Sequence, residues 1–294
     1  MRLNETLIEY NDMSSGHHIR VYDSKPEFAR RRYFEHRHAD FELSYIMDGA
    51  GIHHIRGDQL EIKKGDLFVI GSNQIHCITD NLINSSPLFI LNVQFEPKMI
   101  WSPLSNMLPP DYVNLFKLKC ERVSPDCESY STIVDKMLAI YRESIDKRPG
   151  YAIMIKSYLC EIIALLMREN PIEISPETKR TRESLITMDQ VMTYINNNLG
   201  SSLSLAQIAE RTGLSRTYFS TLFTSLNGLT PWEYITLKRI DKSKALLTST
   251  QASILEISGL CGYENLSNFN RMFLRITGET PSQYRKSHRH VESV

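Results

Sequence analysis

Apolar positions along the chain follow two different periods. Through about residue 120 they come in short or alternating runs, at Ile19–Tyr22, Phe41–Met47, Gly51–Ile55, Asp66–Ile70, Ile75–Thr79 and Leu88–Phe95. Asp48-Gly49, Arg56-Gly57-Asp58, Lys64-Gly65 and Gly71-Ser72-Asn73 separate several of these runs. Regular runs bounded by Gly, Asn and Asp turns predict strands of a β-sandwich or barrel. From residue 129 the step lengthens to three and four. Ile133, Met137, Ile140, Tyr141 and Ile145 form one stripe; Ile153, Ile155, Leu159, Ile162, Ile163, Leu166 and Met167 form a second, after Arg148-Pro149-Gly150. Two amphipathic helices joined by a short break predict a helical hairpin, with a role in capping the β domain or in dimerisation. Glu169 to Thr187 holds Pro171, Pro176 and a charged stretch, and reads as a linker. Beyond it the pattern predicts helices near 188–198, 204–211, 215–226, 231–247, 253–260, 266–276 and 281–287. Ser204 and Ser215 stand at N-cap positions, and Pro231 and Pro281 in first turns.

The helical third contains one pattern twice. Leu205, Ile208, Ala209, Gly213, Phe219, Phe223, Gly228, Thr230, Pro231 and Tyr234 return as Ile254, Ile257, Ser258, Gly262, Phe269, Phe273, Gly278, Thr280, Pro281 and Tyr284. The offset is 49 up to Gly262 and 50 from Phe269 on, so one residue has been inserted just after Gly262. Such a repeat marks a duplicated structural unit. Each copy has a short helix, a turn with Gly and a second helix, the requirements of a helix-turn-helix whose second helix enters the DNA major groove. The core sets are Leu205, Ile208, Ala209, Leu214, Phe219, Leu222 and Phe223 in the first, and Ile254, Ile257, Leu260, Leu266, Phe269 and Phe273 in the second. The outward faces are then Arg216, Thr217, Ser220, Thr221 and Thr224, and Ser267, Asn268, Asn270, Arg271 and Arg275. Arg pairs bidentately with guanine, Asn with adenine, and Thr meets the thymine methyl, so these faces suit base readout. A connecting helix of about 25 Å, at ~1.5 Å per residue, sets the two units near the ~34 Å repeat of B-DNA.

Composition adds limits. The 294 residues carry no net charge, but residues 185–294 hold 11 Lys and Arg against 8 Asp and Glu, while residues 1–184 hold 23 against 26. The asymmetry has the direction expected of a C-terminal DNA-binding half. No apolar run approaches the ~20 residues of a membrane span, and the start lacks a signal-peptide h-region. The expectation is a cytoplasmic protein with no membrane partner. The five cysteines are scattered, with no C-x-x-C, and read as free thiols.

The β region holds a further constellation, His36, His38 and Glu42, then Gly65-Asp66 and His76. On an extended strand residues 36, 38 and 42 share a face. These four side chains suit contacts to a polar ligand, a divalent-metal site, or hydrogen bonding within the fold. Arg30, Arg31 and Arg32 upstream either attract an anionic ligand or form a solvated run.

Residues 185–287 resemble the AraC/XylS family of bacterial transcription regulators, on the repeat and on Gly262-Tyr263-Glu264-Asn265 and Gly278-Glu279-Thr280-Pro281-Ser282-Gln283-Tyr284-Arg285. The Phe-Lys usual after each recognition helix is Phe223-Thr224 and Phe273-Leu274 here, so the lysine for a phosphate contact is replaced at both positions. The His36–His76 constellation resembles the two cupin motifs, lacking the usual Pro-x-Gly of the second; a related barrel is the effector domain of AraC-type regulators. The resemblance implies a two-domain α+β chain. Residues 1–125 form a cupin-like effector barrel, 126–169 a helical hairpin that dimerises, 170–184 a linker, and 185–294 an all-α double helix-turn-helix. It implies no enzyme but a homodimeric, ligand-responsive regulator or activator of transcription. DNA binding falls to Arg216, Thr217, Ser220, Thr221, Ser267, Asn268, Asn270 and Arg271, and ligand binding to His36, His38, Glu42 and His76. The expected partners are double-stranded DNA, a carbohydrate effector and RNA polymerase. No cofactor is expected; the alternative is a metal-dependent cupin enzyme fused to a DNA-binding domain, with the same His and Glu residues as ligands.

Overall fold

The computed structural model describes residues 8–12, 17–24, 35–55, 57–80, 88–96, 121–169 and 178–288. The arginine run at 30–32, Cys120 and the two linker prolines lie outside the described residues. The chain divides into two compact units, one of Met1–Tyr33 with Asp40–Ile186, the other of Phe34–Ala39 with Thr187–Val294.

The first unit is built on two antiparallel sheets. β1 (Ile8–Asp12), β2 (His17–Ser24), β8 (Phe89–Phe95), β3 (Phe41–Asp48), β6 (Leu67–Ile70) and β9 (Glu121–Val123) lie in that order in a six-stranded sheet. β5 (Asp58–Lys63), β4 (Ala50–Ile55) and β7 (His76–Asp80) form the second. The alternating runs predict β2, β3, β4, β6, β7 and β8. β5 is missing from them although Leu60 and Ile62 alternate with Gln59, Glu61 and Lys63, because two apolar positions make too short a run, and Ile62 is its single buried position.

Register decides which side chains share a layer. Glu42, Ser44 and Ile46 of β3 stand opposite Gln94, Asn92 and Ile90 of β8, while Tyr22 of β2 pairs with Asn92. On one face of the large sheet Tyr22, Glu42, Ser44, Asn92 and Gln94 thus form a polar cluster, bordered along the strands by Ile46 and Ile90 and across them by Phe68 and Ile70 of β6, which pair with Ser44 and Glu42. The apolar part joins Ile46, Phe68, Ile70, Leu88 and Ile90 to Ile62 of the small sheet. The opposite face, with Val21, Leu43, Leu91 and Val93, is equally buried.

Helices α1 (Tyr130–Asp146) and α2 (Tyr151–Glu169) form the expected hairpin. Lys147 ends α1 in the left-handed conformation, and Gly150 (φ 86°) sits in the turn. Tyr141 Oη donates to Asp23 of β2, and burial with that bond pushes the phenol up to about 12.

The second unit is helical. It contains the C-terminal part of α3 (Thr178–Asn197), then α4 (Leu205–Glu210), α5 (Arg216–Asn227), α6 (Pro231–Ser249), α7 (Ile254–Leu260), α8 (Leu266–Thr277) and α9 (Pro281–His288). α3 begins ten residues before the helix expected at 188, so residues 178–184 of the expected linker are helical. Their few large apolar groups hide the helix from a periodicity argument.

Candidate nucleic-acid interface and effector site

Both helix-turn-helix units form where the repeat puts them. Ser204 and Ser215 cap α4 and α5 by accepting the Gln207 and Tyr218 amides, and Asn265 caps α8 by accepting those of Ser267 and Asn268. Thr230 with Glu233 and Ser253 with Glu256 close reciprocal capping boxes on α6 and α7. The cores repeat as well. Phe219, Phe223 and Tyr234 pack ring against ring at centroid distances of 5.8 and 5.6 Å, and Phe269, Phe273 and Tyr284 do so at 5.7 and 5.5 Å.

On α5, Arg216, Thr217 and Thr221 are exposed and Ser220 half-buried; on α8, Ser267, Asn268, Asn270, Arg271 and Arg275 are all exposed. Arg271 Nη2 donates to Asn268 Oδ1 at 3.0 Å. That bond presents a donor fork and an amide side by side, an arrangement suited to adjacent bases. Thr224 turns its hydroxyl back onto the Ser220 carbonyl at 2.8 Å, and Leu274 is exposed. Neither carries a charge to a phosphate. One expected core member is corrected: Leu260 is 53% exposed, and Cys261 is fully buried in its stead. Ile254, Ile257, Ser258 and Cys261 keep three- and four-residue steps, whereas Leu260 falls off that stripe.

In the first unit, Glu42 is buried at the polar end of the inner face. Its carboxylate accepts from Ser44 Oγ at 2.8 Å, from Gln94 Nε2 and from Tyr22 Oη. Ser44 Oγ also lies against Asn92 Oδ1, and Gln94 Nε2 donates to Tyr22 Oη at 2.8 Å. His76 Nε2 lies 3.9 Å from Glu42 Oε2, with His76 Nδ1 2.9 Å from the Gln74 carbonyl. His36 and His38 precede β3 in the short segment grouped with the second unit, with ring centroids 6.0 Å apart. They do not share a strand with Glu42, because β3 starts at Phe41 after a bend at residues 39–40; the shared-face argument therefore fails for them.

Sequence reasoning missed His53, Tyr22, Asn92 and Gln94. His53 is fully buried, its ring edge-on to Phe68 at 4.7 Å and to His76 at 6.3 Å. Neither ring nitrogen has a hydrogen-bond partner among the described residues. Burial, then the neighbouring His76, lowers its pKa to about 4. The two-residue alternation of β2, β4 and β8 was the signal available. It puts Tyr22, His53 and Asn92 on inward positions once register is known.

A model of AraC-like ligand binding domains matches residues 24–163, and a helix-turn-helix domain model matches residues 208–287. The chain belongs to the AraC/XylS family. The family's regulators include the Msm operon regulatory protein of Streptococcus mutans, 24% identical over 247 residues that cover 84% of each chain. They also include the transcriptional activator RhaR of Yersinia pestis, 21% identical over 272 residues, 88% of this chain and 87% of that one. The fold is shared with ToxT of Vibrio cholerae: one structure aligns with a TM-score of 0.61 at 14% identity over 95% of this chain and 100% of that one. A ToxT structure bound to unsaturated fatty acid aligns with a TM-score of 0.59 at 16% identity over 97% of both. This AraC-type chain is a DNA-binding transcription regulator with a ligand-binding domain. The relatives are named as regulators, not as enzymes. Among the described residues no helix is long and apolar enough to cross a membrane.

Proposed function

We propose that this regulator answers to a small polyhydroxylated effector, a sugar or sugar derivative, bound at the polar end of the inner face of its N-terminal sheets. The observation that carries this is the buried Glu42 carboxylate with Tyr22, Ser44, Asn92 and Gln94 around it. Carboxylates accept hydrogen bonds from hydroxyls and carboxamides both accept and donate, and a buried set of them disfavours an apolar ligand. A fatty-acid head group would set a second carboxylate against Glu42, and like charges so close raise each other's energy. The effector's differential affinity for two arrangements of the protein supplies the regulatory free energy. A homodimer formed through α1 and α2 then changes which DNA sites it bridges or how it meets RNA polymerase.

The test is calorimetric titration of the full chain with a panel of monosaccharides and one unsaturated fatty acid, beside footprinting on the promoter of the adjacent genes. Saturable sugar binding that is lost in Glu42→Ala and alters the footprint is the expected result. Binding of the fatty acid alone overturns the carbohydrate reading. Stoichiometric metal in protein purified without added metal, lost on His76→Ala, favours a metal-dependent cupin instead.

A further inference from the structure

The two helix-turn-helix units differ in length at one place, the turn. Leu214 alone stands between Gly213 and the cap Ser215 in the first; Tyr263 and Glu264 stand between Gly262 and the cap Asn265 in the second. A Cβ at Gly213 would meet nothing within 4 Å, whereas one at Gly262 would lie 2.3 Å from the Leu199 carbonyl oxygen and 2.7 Å from Arg239 Nη2. The second turn is pressed against the end of α3, and Gly200 approaches the Leu260 carbonyl from the other side, where a Cβ would lie at 2.8 Å.

α6 supplies the fastening. Arg239 Nε donates to the Leu199 carbonyl at 2.9 Å and its Nη2 to the Ser201 carbonyl at 2.8 Å. Its guanidinium lies over the Tyr263 ring at 5.6 Å, and that ring packs on Phe269 of α8 at 5.3 Å. Lys242 Nζ donates to the Leu260 carbonyl, the last of α7, at 2.8 Å. One arginine therefore bridges the segment just after α3, a helix held to the first helix-turn-helix by Arg211 over the Tyr194 ring and by Tyr234 Oη donating to Asn196 Oδ1, to the recognition helix of the second helix-turn-helix through the longer turn.

We infer that Arg239 is a positioning residue that sets the angle and separation between the two recognition helices, and that the Tyr263–Glu264 turn, one residue longer than its counterpart, is the surface on which it acts. Two linked DNA-reading units add their affinities only when both reach their sites at once. The junction then determines the phase of the two major-groove sites the protein accepts. This rests on both units reading DNA, and the first measurement below does not require that.

Spin labels on genetically encoded ketone side chains at positions 210 and 274 report the distance between the units in the full chain and leave the native cysteines untouched. The wild type is expected to show one narrow distance. Arg239→Gln is expected to broaden it, Arg239→Lys to recover it in part, and Tyr263→Phe to leave it as in the wild type. With a duplex selected from a random pool by the wild-type protein, Arg239→Gln is expected to lose about tenfold or more in affinity. It should lose nothing on a duplex keeping one half-site, and should tolerate inserted base pairs that the wild type rejects. Wild-type distance and wild-type spacing dependence in a folded Arg239→Gln overturn the proposal. If that variant does not fold, Tyr263→Ala takes the same two measurements and the same outcomes decide.

Discussion

Single residues in this protein are set by the polarity of the layer they face. His53 lies in an apolar layer against Phe68, and burial holds its pKa near 4. An unfolded histidine titrates near 6.5, so between those values the unfolded chain binds more protons and stability falls as the pH falls. The stability from neutral His53 is complete above about 6.5 and is lost as the pH drops toward 4. Urea unfolding at pH 7 and pH 5 is expected to differ by about 2 kcal/mol from this residue, and His53→Phe should remove that share of the difference. A wild-type slope in the Phe variant would show that other groups cause it. At the DNA face, Arg271→Ala is expected to cost about 1–3 kcal/mol and relax selectivity at one base pair. Selection of binding sites from a random pool checks this, and an equal loss on every sequence assigns Arg271 to a phosphate instead. His53 shows the limit of reading at this scale: a lone His in a strand looks the same in sequence whether it meets ligand, metal or Phe68.

Helices and turns follow local chemistry, and so they were legible. The caps at Ser204 and Ser215 are where the hydroxyl precedes an apolar stripe, and the aromatic sets of both units follow the three- and four-residue step. Ser253→Ala, which opens the capping box on α7, is expected to lower unfolding free energy by about 1 kcal/mol. Paired turns give a sharper comparison. Gly213→Ala meets open space and bears the left-handed backbone cost of about 1–2 kcal/mol. Gly262→Ala also drives a methyl into the Leu199 carbonyl and is expected to cost more, measured by urea unfolding of both variants. Equal losses would mean that the second turn is as open as the first. Elements with a weak periodic signal were not legible: β5 offers the Leu60–Ile62 alternation alone and faces water along nearly its whole length, and the first turns of α3 lack the large apolar groups that mark a helix.

At the scale of the molecule, two compact units predict two unfolding transitions in scanning calorimetry. Specific DNA is expected to raise the transition of the helical unit, since a ligand stabilises the fold it binds; a single transition that DNA shifts as a whole would contradict this. The repeat, the change of period near residue 129 and the double helix-turn-helix were determined by the sequence alone, because helices, caps and Gly turns answer to neighbours a few residues away. Tertiary structure decided the rest. Which strands pair, and in what register, brings Tyr22, Glu42, Asn92 and Gln94 into one buried network from three separate strands. Likewise the inserted residue after Gly262 is visible in the offset of 49 and 50, but its meeting with Arg239 and the end of α3 depends on packing between segments some 25 to 60 residues apart, a distance over which local sequence carries no geometric signal.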